Sequence, residues 1–411
     1  MSAASPDNET SSAQTSSSAR PDTQPKSAEP SLLAKLSHAS YIYTLKGILK
    51  PIFWLRDWSE YFYPPDSRPN IVKAYDCHPT LPIRIFFPAT YDQTSPATLP
   101  TLFTIHGGGF CFGHIRDDDE WNRAFADTQD VLVIALNYSK APGSPFPAAL
   151  HDLEALVLAI LADESLPIDR DRGGRTALLG FSAGANLALA VSQLDSIRTH
   201  PHAPAAAVSF YGYLDMSIPP AAKLANRPWK PSLSPPRGDK TDSLMGLAPT
   251  FDWSYIPYGQ DLRDPLLSPV FADREKLPPF VGIVGAELDM LAFEGWGLAC
   301  RLAREGSGDA ARRVPERDSE DVKWRVCGRE EVASGEGLEL ADERFAFEET
   351  WEGGSGGGVK WLLVPDVIHG FDNVHVRELM GGKEAIEDGE RKAKLCVAEM
   401  GRWLKETVWK V

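Results

Sequence analysis

The stretch TALLGFSAGANLALAV, residues 176–191, constrains this chain more than any other. It opens as an apolar strand, passes through Gly180-Phe181-Ser182-Ala183-Gly184, and continues as an Ala- and Leu-rich helical run. A chain that goes from strand to helix in so few residues must turn sharply. The positions two before and two after the serine then need minimal side chains. Such a turn throws the Ser182 hydroxyl clear of the sheet and sets it at a helix N-terminus, whose dipole favours negative charge. The plain alternative is a serine in an ordinary tight strand-to-helix turn.

The rest of the chain supplies the sheet that this turn requires. Strand-like runs fall at 71–75, 83–87, 102–105, 131–136, 176–181, 207–211, 280–285 and 361–365. The middle ones are apolar almost throughout, as in strands covered on both faces of a parallel sheet. Helical stripes lie between them, as in 148–162 with Leu150, Leu153, Leu156, Val157, Ile160 and Leu161. This alternation predicts a doubly wound α/β sheet with helices on both faces.

Three segments depart from the alternation. Residues 1–30 hold Ser, Thr, Ala, Pro and Gln with almost no large apolar side chains, and are expected to be a disordered tail. Residues 213–265 are proline-rich and aperiodic, which reads as an inserted cap element. Residues 306–358 are charged and end in GGSGGG, which reads as an exposed excursion with a flexible linker. Residues 31–69 carry large apolar residues at mostly helical intervals, with Pro51 expected to break or kink the run. Two readings compete for them: an interfacial membrane helix rich in aromatic residues, or helices capping a catalytic core. The mixed charge of the polar face favours the cap.

The glycines of FTIHGGGFCFG, residues 103–113, raise a second choice, between a phosphate cradle and a set of bare N–H donors. No lysine follows the glycines and no helix opens there, so a phosphate cradle is disfavoured. Amides of Gly107 and Gly108, joined by that of Ala183 directly after the serine, suit an oxyanion hole. His106 reads as a hydrogen-bonding residue that holds this loop. A serine hydroxyl needs a base, and in chain order the acid and the histidine follow it. His369 in VPDVIHGF lies just past a strand, whereas His375 sits in a polar helical segment, so His369 is the expected base. FVGIVGAELDML offers Asp289 as the acid that orients it, with Glu287 as the alternative.

Composition narrows the setting. A net charge of −15 disfavours nucleic acid as a partner. Five widely spaced cysteines form no C-x-x-C, which argues against a metal site or a disulfide framework and for a reduced, cytoplasmic chain. No run is long and apolar enough to span a bilayer. The acidic run RDDDE, residues 116–120, reads as a solvated loop, and Cys111 as a pocket wall.

HGGGF (106–110), NYSKAPGSPFPAALHD (137–152), GFSAGANLA (180–188), DPLLSP (264–269), GAELDML (285–291) and HGF (369–371) occur in the order of a known family. The chain resembles the hormone-sensitive-lipase-like group of α/β-hydrolases over roughly residues 70–405. Ser139 and Gly143 stand where that group commonly has Arg and Glu, and Phe181 where it commonly has an acid. The resemblance implies an α/β-hydrolase fold with a helical cap on a catalytic unit spanning 70–411, short-to-medium acyl esters as substrates, no cofactor, and a tendency to dimerise. Two alternatives accompany it: a non-catalytic small-ligand receptor on the same fold, and an amide or lactone hydrolase using the same residues.

Overall fold

The structure is a computed structural model and describes residues 25–170, 175–307, 346–351, 356–379 and 381–411. A nine-stranded sheet forms its centre, in the order β1-β2-β4-β3-β5-β6-β7-β9-β8. The strands are β1 (Ile71–Tyr75), β2 (His78–Phe86), β3 (Thr101–Ile105), β4 (Leu132–Leu136), β5 (Thr176–Phe181), β6 (Ala206–Phe210), β7 (Phe280–Ala286), β8 (Ala346–Trp351) and β9 (Gly357–Val364). From β4 to β9 every pairing is parallel, while β1, β2 and β8 join antiparallel at the edges. The fold is the mostly parallel α/β sheet expected from the sequence.

Alternation along the central strands sends neighbouring side chains to opposite cores. Phe103, Ile134 and Leu178 face α3 (Ala148–Leu161) and α4 (Ala183–Ser192). Leu102, Val133 and Leu179 face the other layer, which includes Phe125, Met400 and Trp403. Those residues come from α2 (Asp119–Gln129) and a C-terminal helix, Lys383–Trp403. The helix Ala292–Ser307 covers β7 and β9 through Trp296, Leu298 and Leu302. Each such fully buried large side chain contributes about 1.5–3 kcal/mol of transfer free energy. That is why the apolar runs, rather than local propensity, set the strands.

The 213–265 stretch contains a short helix, Pro220–Leu224, a 3₁₀ turn at Ser243–Gly246 and a second helix, Ala248–Tyr255. Buried ion pairs fix it to the body: Lys223 to Glu294 at 2.5 Å, and Lys230 to Glu287 at 2.8 Å and to Asp366 at 2.7 Å. Residues 32–62 form one helix, α1 (Leu32–Phe62), rather than two. Pro51 does not end it, because Pro51 lies on the exposed side, where the carbonyl it leaves without an amide partner can meet water.

Two other expectations change. The excursion at 306–358 is not wholly exposed: β8 and the first residues of β9 fall inside it, and Gly357 and Gly358 are buried in the sheet. Trp351 and Trp361 supply the apolar surface that holds these strands. Residues 308–345 and 352–355 lie outside the described residues, as does most of the tail at 1–30. Second, RDDDE is not a solvated loop, because its charges find partners. Arg116 pairs with Asp57 and with Glu60 (3.0 Å), Asp117 with Arg56 (2.8 Å), and buried Asp119 with Arg84. Buried Asp118 meets the Asn373 amide at 3.4 Å.

Candidate active site

The site collects at the carboxyl ends of β3, β5, β6, β7 and β9, which are adjacent in the sheet. Their registers keep these ends level: Ile105 pairs with Gly180, Phe181 with Phe210, Phe210 with Val284, and Ala286 with Val364. Whatever follows each strand therefore emerges over one small area. In open α/β sheets this is where ligands bind.

Ser182 follows β5 with φ +53° and ψ −116°, a conformation that side chains rarely adopt. The strain is held from both sides. The Ser182 amide donates to the Phe210 carbonyl at 2.9 Å, and α4 begins at the next residue. A Cβ on Gly180 would lie 2.0 Å from the Gly184 carbonyl oxygen, and one on Gly184 would lie 2.1 Å from that of Ile105. These two contacts explain the G-x-S-x-G spacing: the backbone folds over itself and no side chain fits.

The Ser182 hydroxyl lies 2.8 Å from His369 Nε2, and His369 Nδ1 lies 2.7 Å from Asp289 Oδ2. An ionised carboxylate only accepts, so Asp289 holds the proton on Nδ1 and leaves the Nε2 lone pair facing the hydroxyl. Asp289 is buried, and its other oxygen accepts the Leu291 amide at 2.9 Å. Glu287 is engaged elsewhere. Its Oε2 accepts from Lys230 at 2.8 Å and from the Asp366 amide at 2.9 Å. His375, the other late histidine, also lines the cleft.

Burial is the largest influence on His369 and favours its neutral form. The charge and hydrogen bond of Asp289, with Asp242 and Asp372, outweigh it and leave the imidazole above its ordinary pKa. Asp242 and Asp372 were not expected from the sequence, nor was Tyr211. Tyr211 stands edge-on to His369 with ring centres 4.7 Å apart, and its hydroxyl donates to Asp372. Asp242 comes from the aperiodic 213–265 stretch, where it accepts the Met290 amide at 3.0 Å beside Asp289. No spacing or periodicity marks Asp242 and Tyr211, which reach His369 from distant segments only in the fold, whereas Asp372 follows His369 by three residues in the same loop.

The glycine loop after β3 crosses directly over the serine. A Cβ on Gly107 would sit 3.3 Å from Ser182 Cβ and 3.1 Å from the Phe181 carbonyl oxygen, and Gly108 takes φ +112°. Among the described residues, no protein group accepts from the Gly107, Gly108 or Ala183 amides. Buried His106 stacks on Tyr138 with ring centres 4.6 Å apart, and its Nδ1 meets the Gly107 carbonyl at 2.8 Å. The Tyr138 hydroxyl donates to the His106 carbonyl at 3.1 Å. Burial, then Lys140, pushes His106 far below its usual pKa, so it stays neutral and holds the loop. The loop is thus steadied by His106 and Tyr138. Gly107→Ala is expected to lower kcat on the order of a hundredfold, as when one oxyanion donor is displaced, with little change in melting temperature. Parallel kinetics and thermal melts check this.

A cleft of about 510 Å³ opens above Ser182. Its walls are mostly apolar, with Leu45, Leu49 and Phe53 from α1 facing Leu247 and Phe251 from the 213–265 stretch. Cys111 is buried but does not line the cleft. Burial pushes its thiol up to about 11. Among the described residues no cluster could hold a metal ion.

The comparisons with known proteins agree with this architecture. A family model described as alpha/beta hydrolase fold matches residues 102–318. An acetyl-hydrolase of Streptomyces hygroscopicus is 33% identical over 187 residues, 46% of this chain and 56% of that one. An arylesterase of Saccharolobus solfataricus is 31% identical over 242 residues, 57% of this chain and 70% of that one. Bovine arylacetamide deacetylase is 35% identical over 133 residues, 32% of this chain and 33% of that one. The chain thus matches little more than half the length of the first relative and a third of the bovine one. Among solved structures, an alpha/beta hydrolase from the metagenome of Lake Arreo is 25% identical with a TM-score of 0.52, covering 78% of this chain and 79% of that one. With a family match over more than half its length and the matching sheet and turn, the chain belongs to the α/β-hydrolase fold family.

Proposed function

We propose that this protein hydrolyses carboxylic esters of short-to-medium acyl chains through a covalent acyl-enzyme. The observation that carries the reading is the continuous relay from Asp289 through His369 to Ser182, lying beneath three amides with no protein acceptor among the described residues. Ser182 Oγ attacks the ester carbonyl carbon while His369 Nε2 takes its proton. The Gly107, Gly108 and Ala183 amides hold the negative oxygen of the tetrahedral intermediate. That intermediate collapses as His369 returns the proton to the leaving alcohol. Water then repeats the sequence on the acyl-enzyme and releases the acid. No step calls for a cofactor. The segment walling the cleft together with α1 acts as a cap, and the four described cysteines, all free thiols, suit a reducing, cytoplasmic setting.

The relatives' names point to short acyl groups and include an arylacetamide deacetylase, so the test includes an amide. Purified protein is assayed on p-nitrophenyl esters from acetyl to long acyl, with acetanilides and lactones alongside. Turnover is expected on the esters, greatest for the shorter chains. Inactivity on every ester would contradict the reading.

The pH profile carries a sign. His369 must be neutral to act as base, so kcat/KM should rise with pH through its pKa and fall in acid. The neighbouring carboxylates raise that pKa, so the acid limb is expected above the ordinary imidazole value of 6.5. Asp242→Asn removes one of those charges and should move the limb to lower pH, leaving the alkaline plateau near its original height. A limb that stays in place would show that Asp242 does not act on His369.

A further inference from the structure

The outward face of α1 plays no part in the chemistry above. Its inward stripe is spent on the body of the protein. Ile42 is buried, His38 Nδ1 meets Thr250 Oγ1 at 2.9 Å, Lys46 bonds the Ala141 carbonyl, and Arg56 pairs with Asp117. Asp57 and Glu60, the helix's two carboxylates, turn towards Arg116. Most of the mixed charge that favoured a cap over a membrane helix in the sequence is therefore consumed on the protein side, with Lys35 paired to Glu29 and Lys50 left exposed. What remains outward is mainly apolar, with Ser37, Ser40 and Thr44 interspersed: Leu33, Leu36, Tyr43, Ile48, Ile52, and Trp54, Leu55 and Trp58 at 56%, 59% and 57% exposure.

At 100° per residue these positions span about 180° of the helix circumference, with Lys50 at one margin and half-exposed Asp57 just beyond it. Soluble monomers rarely leave so large an apolar patch in water. Helix packing against another protein covers a stripe of about 100°. A helix lying half-sunk in a lipid interface covers twice that, and Trp and Tyr are the residues that favour such a boundary. The charge pattern agrees. The chain carries 57 acidic residues, yet α1 has only Asp57 and Glu60, both drawn to Arg116 although Asp57 stays 41% exposed, and marginal Lys50 suits a phospholipid phosphate. Residues 1–24, which precede the helix, contain no Leu, Ile, Val, Phe, Trp or Tyr with which to cover it.

We infer that the outward face of α1 docks this protein on the surface of a neutral, zwitterionic phospholipid bilayer. The opposite side of the same helix gives Leu45, Leu49 and Phe53 to the cleft, so docking sets the cleft beside the lipid. No helix among the described residues is long and apolar enough to cross a membrane, and docking requires none.

The test sediments the full-length protein with phosphatidylcholine vesicles. The wild type is expected in the pellet, insensitive to salt. Trp54→Ser/Leu55→Ser/Trp58→Ser should weaken partitioning at least about tenfold, since each truncation forfeits buried apolar area. Turnover of dissolved p-nitrophenyl acetate should stay within about twofold, as none of these side chains lines the cleft. Leu36→Ser/Tyr43→Ser, about three to five turns away from that cluster, serves as a second variant should the first fail to fold. Wild type left in the supernatant, variants that pellet equally, or binding only to anionic vesicles and lost in salt would each overturn the inference. So would a concentration-dependent dimer broken by these variants without vesicle binding, which would assign the face to a second copy. Partitioning is read without catalysis, so an inactive protein that still pellets would fault the hydrolase reading alone.

Discussion

Ser182→Ala is expected to lower kcat on short p-nitrophenyl esters on the order of 10⁴-fold or more, with the fold intact. The size follows from the geometry. Ser182 Oγ is the oxygen placed 2.8 Å from the imidazole and held by a strained turn beside the bare amides. Without it no acyl-enzyme forms, and what remains is direct attack by water aided by the oxyanion donors. Stability should change little, because the strain belongs to the backbone and its bonds to Phe210 and Ala185. A burst of p-nitrophenol ahead of the steady state in the wild type, absent in the variant, checks the covalent step as well as the rate. Turnover that survives the substitution would remove the mechanism.

Asp289→Asn carries the second large effect, about 10⁴-fold in kcat. Asparagine keeps the shape but loses the charge that stabilises an imidazolium and the constraint that keeps the proton on Nδ1. His369 can then turn its protonated nitrogen towards Ser182 and cease to act as a base. The acid limb of the pH profile should also fall, since Asp289 is the strongest of the groups raising the His369 pKa. Glu287→Gln is the matched control. Glu287 sits two residues away, but its partners are Lys230 and the Asp366 amide. It should cost stability, because it leaves a buried lysine short of one of its two carboxylates, and change kcat by no more than a few-fold. If Glu287→Gln were the damaging change and Asp289→Asn the mild one, the acid would have been misassigned.

The sequence carried the parts of this site where chemistry and backbone geometry make the same demand. A serine on a strand-to-helix turn needs glycine at 180 and 184, and those glycines are visible without coordinates. The glycine loop at 107–109 and the late histidine after a strand could be read for the same reason. The central strands were legible because both faces are buried, which leaves their composition almost wholly apolar.

What could not be read depends on where side chains point. The run at 116–120 looks solvated until Arg84, Arg56 and Asn373 arrive from distant segments to meet it. Asp242 and Tyr211 influence His369 through contacts that span many residues in sequence. The segment 213–265 shows no period because its position is set by Lys223 and Lys230 paired with buried carboxylates rather than by an apolar stripe. On α1 the charges are mixed in the sequence, and only the fold separates an inward charged stripe from an outward apolar face. The edge strand β8 was missed because half-buried Glu349 takes the inward position between Phe347 and Trp351, and the strand follows a long charged stretch.

The most direct test of the central claim, that His369 activates Ser182 as a nucleophile, is labelling with a fluorophosphonate followed by mass spectrometry of the modified peptide. Stoichiometric phosphonylation of Ser182 is expected in the wild type, with labelling slowed by orders of magnitude in His369→Ala although the hydroxyl remains. An unlabelled protein, or an adduct on any other residue, would contradict it.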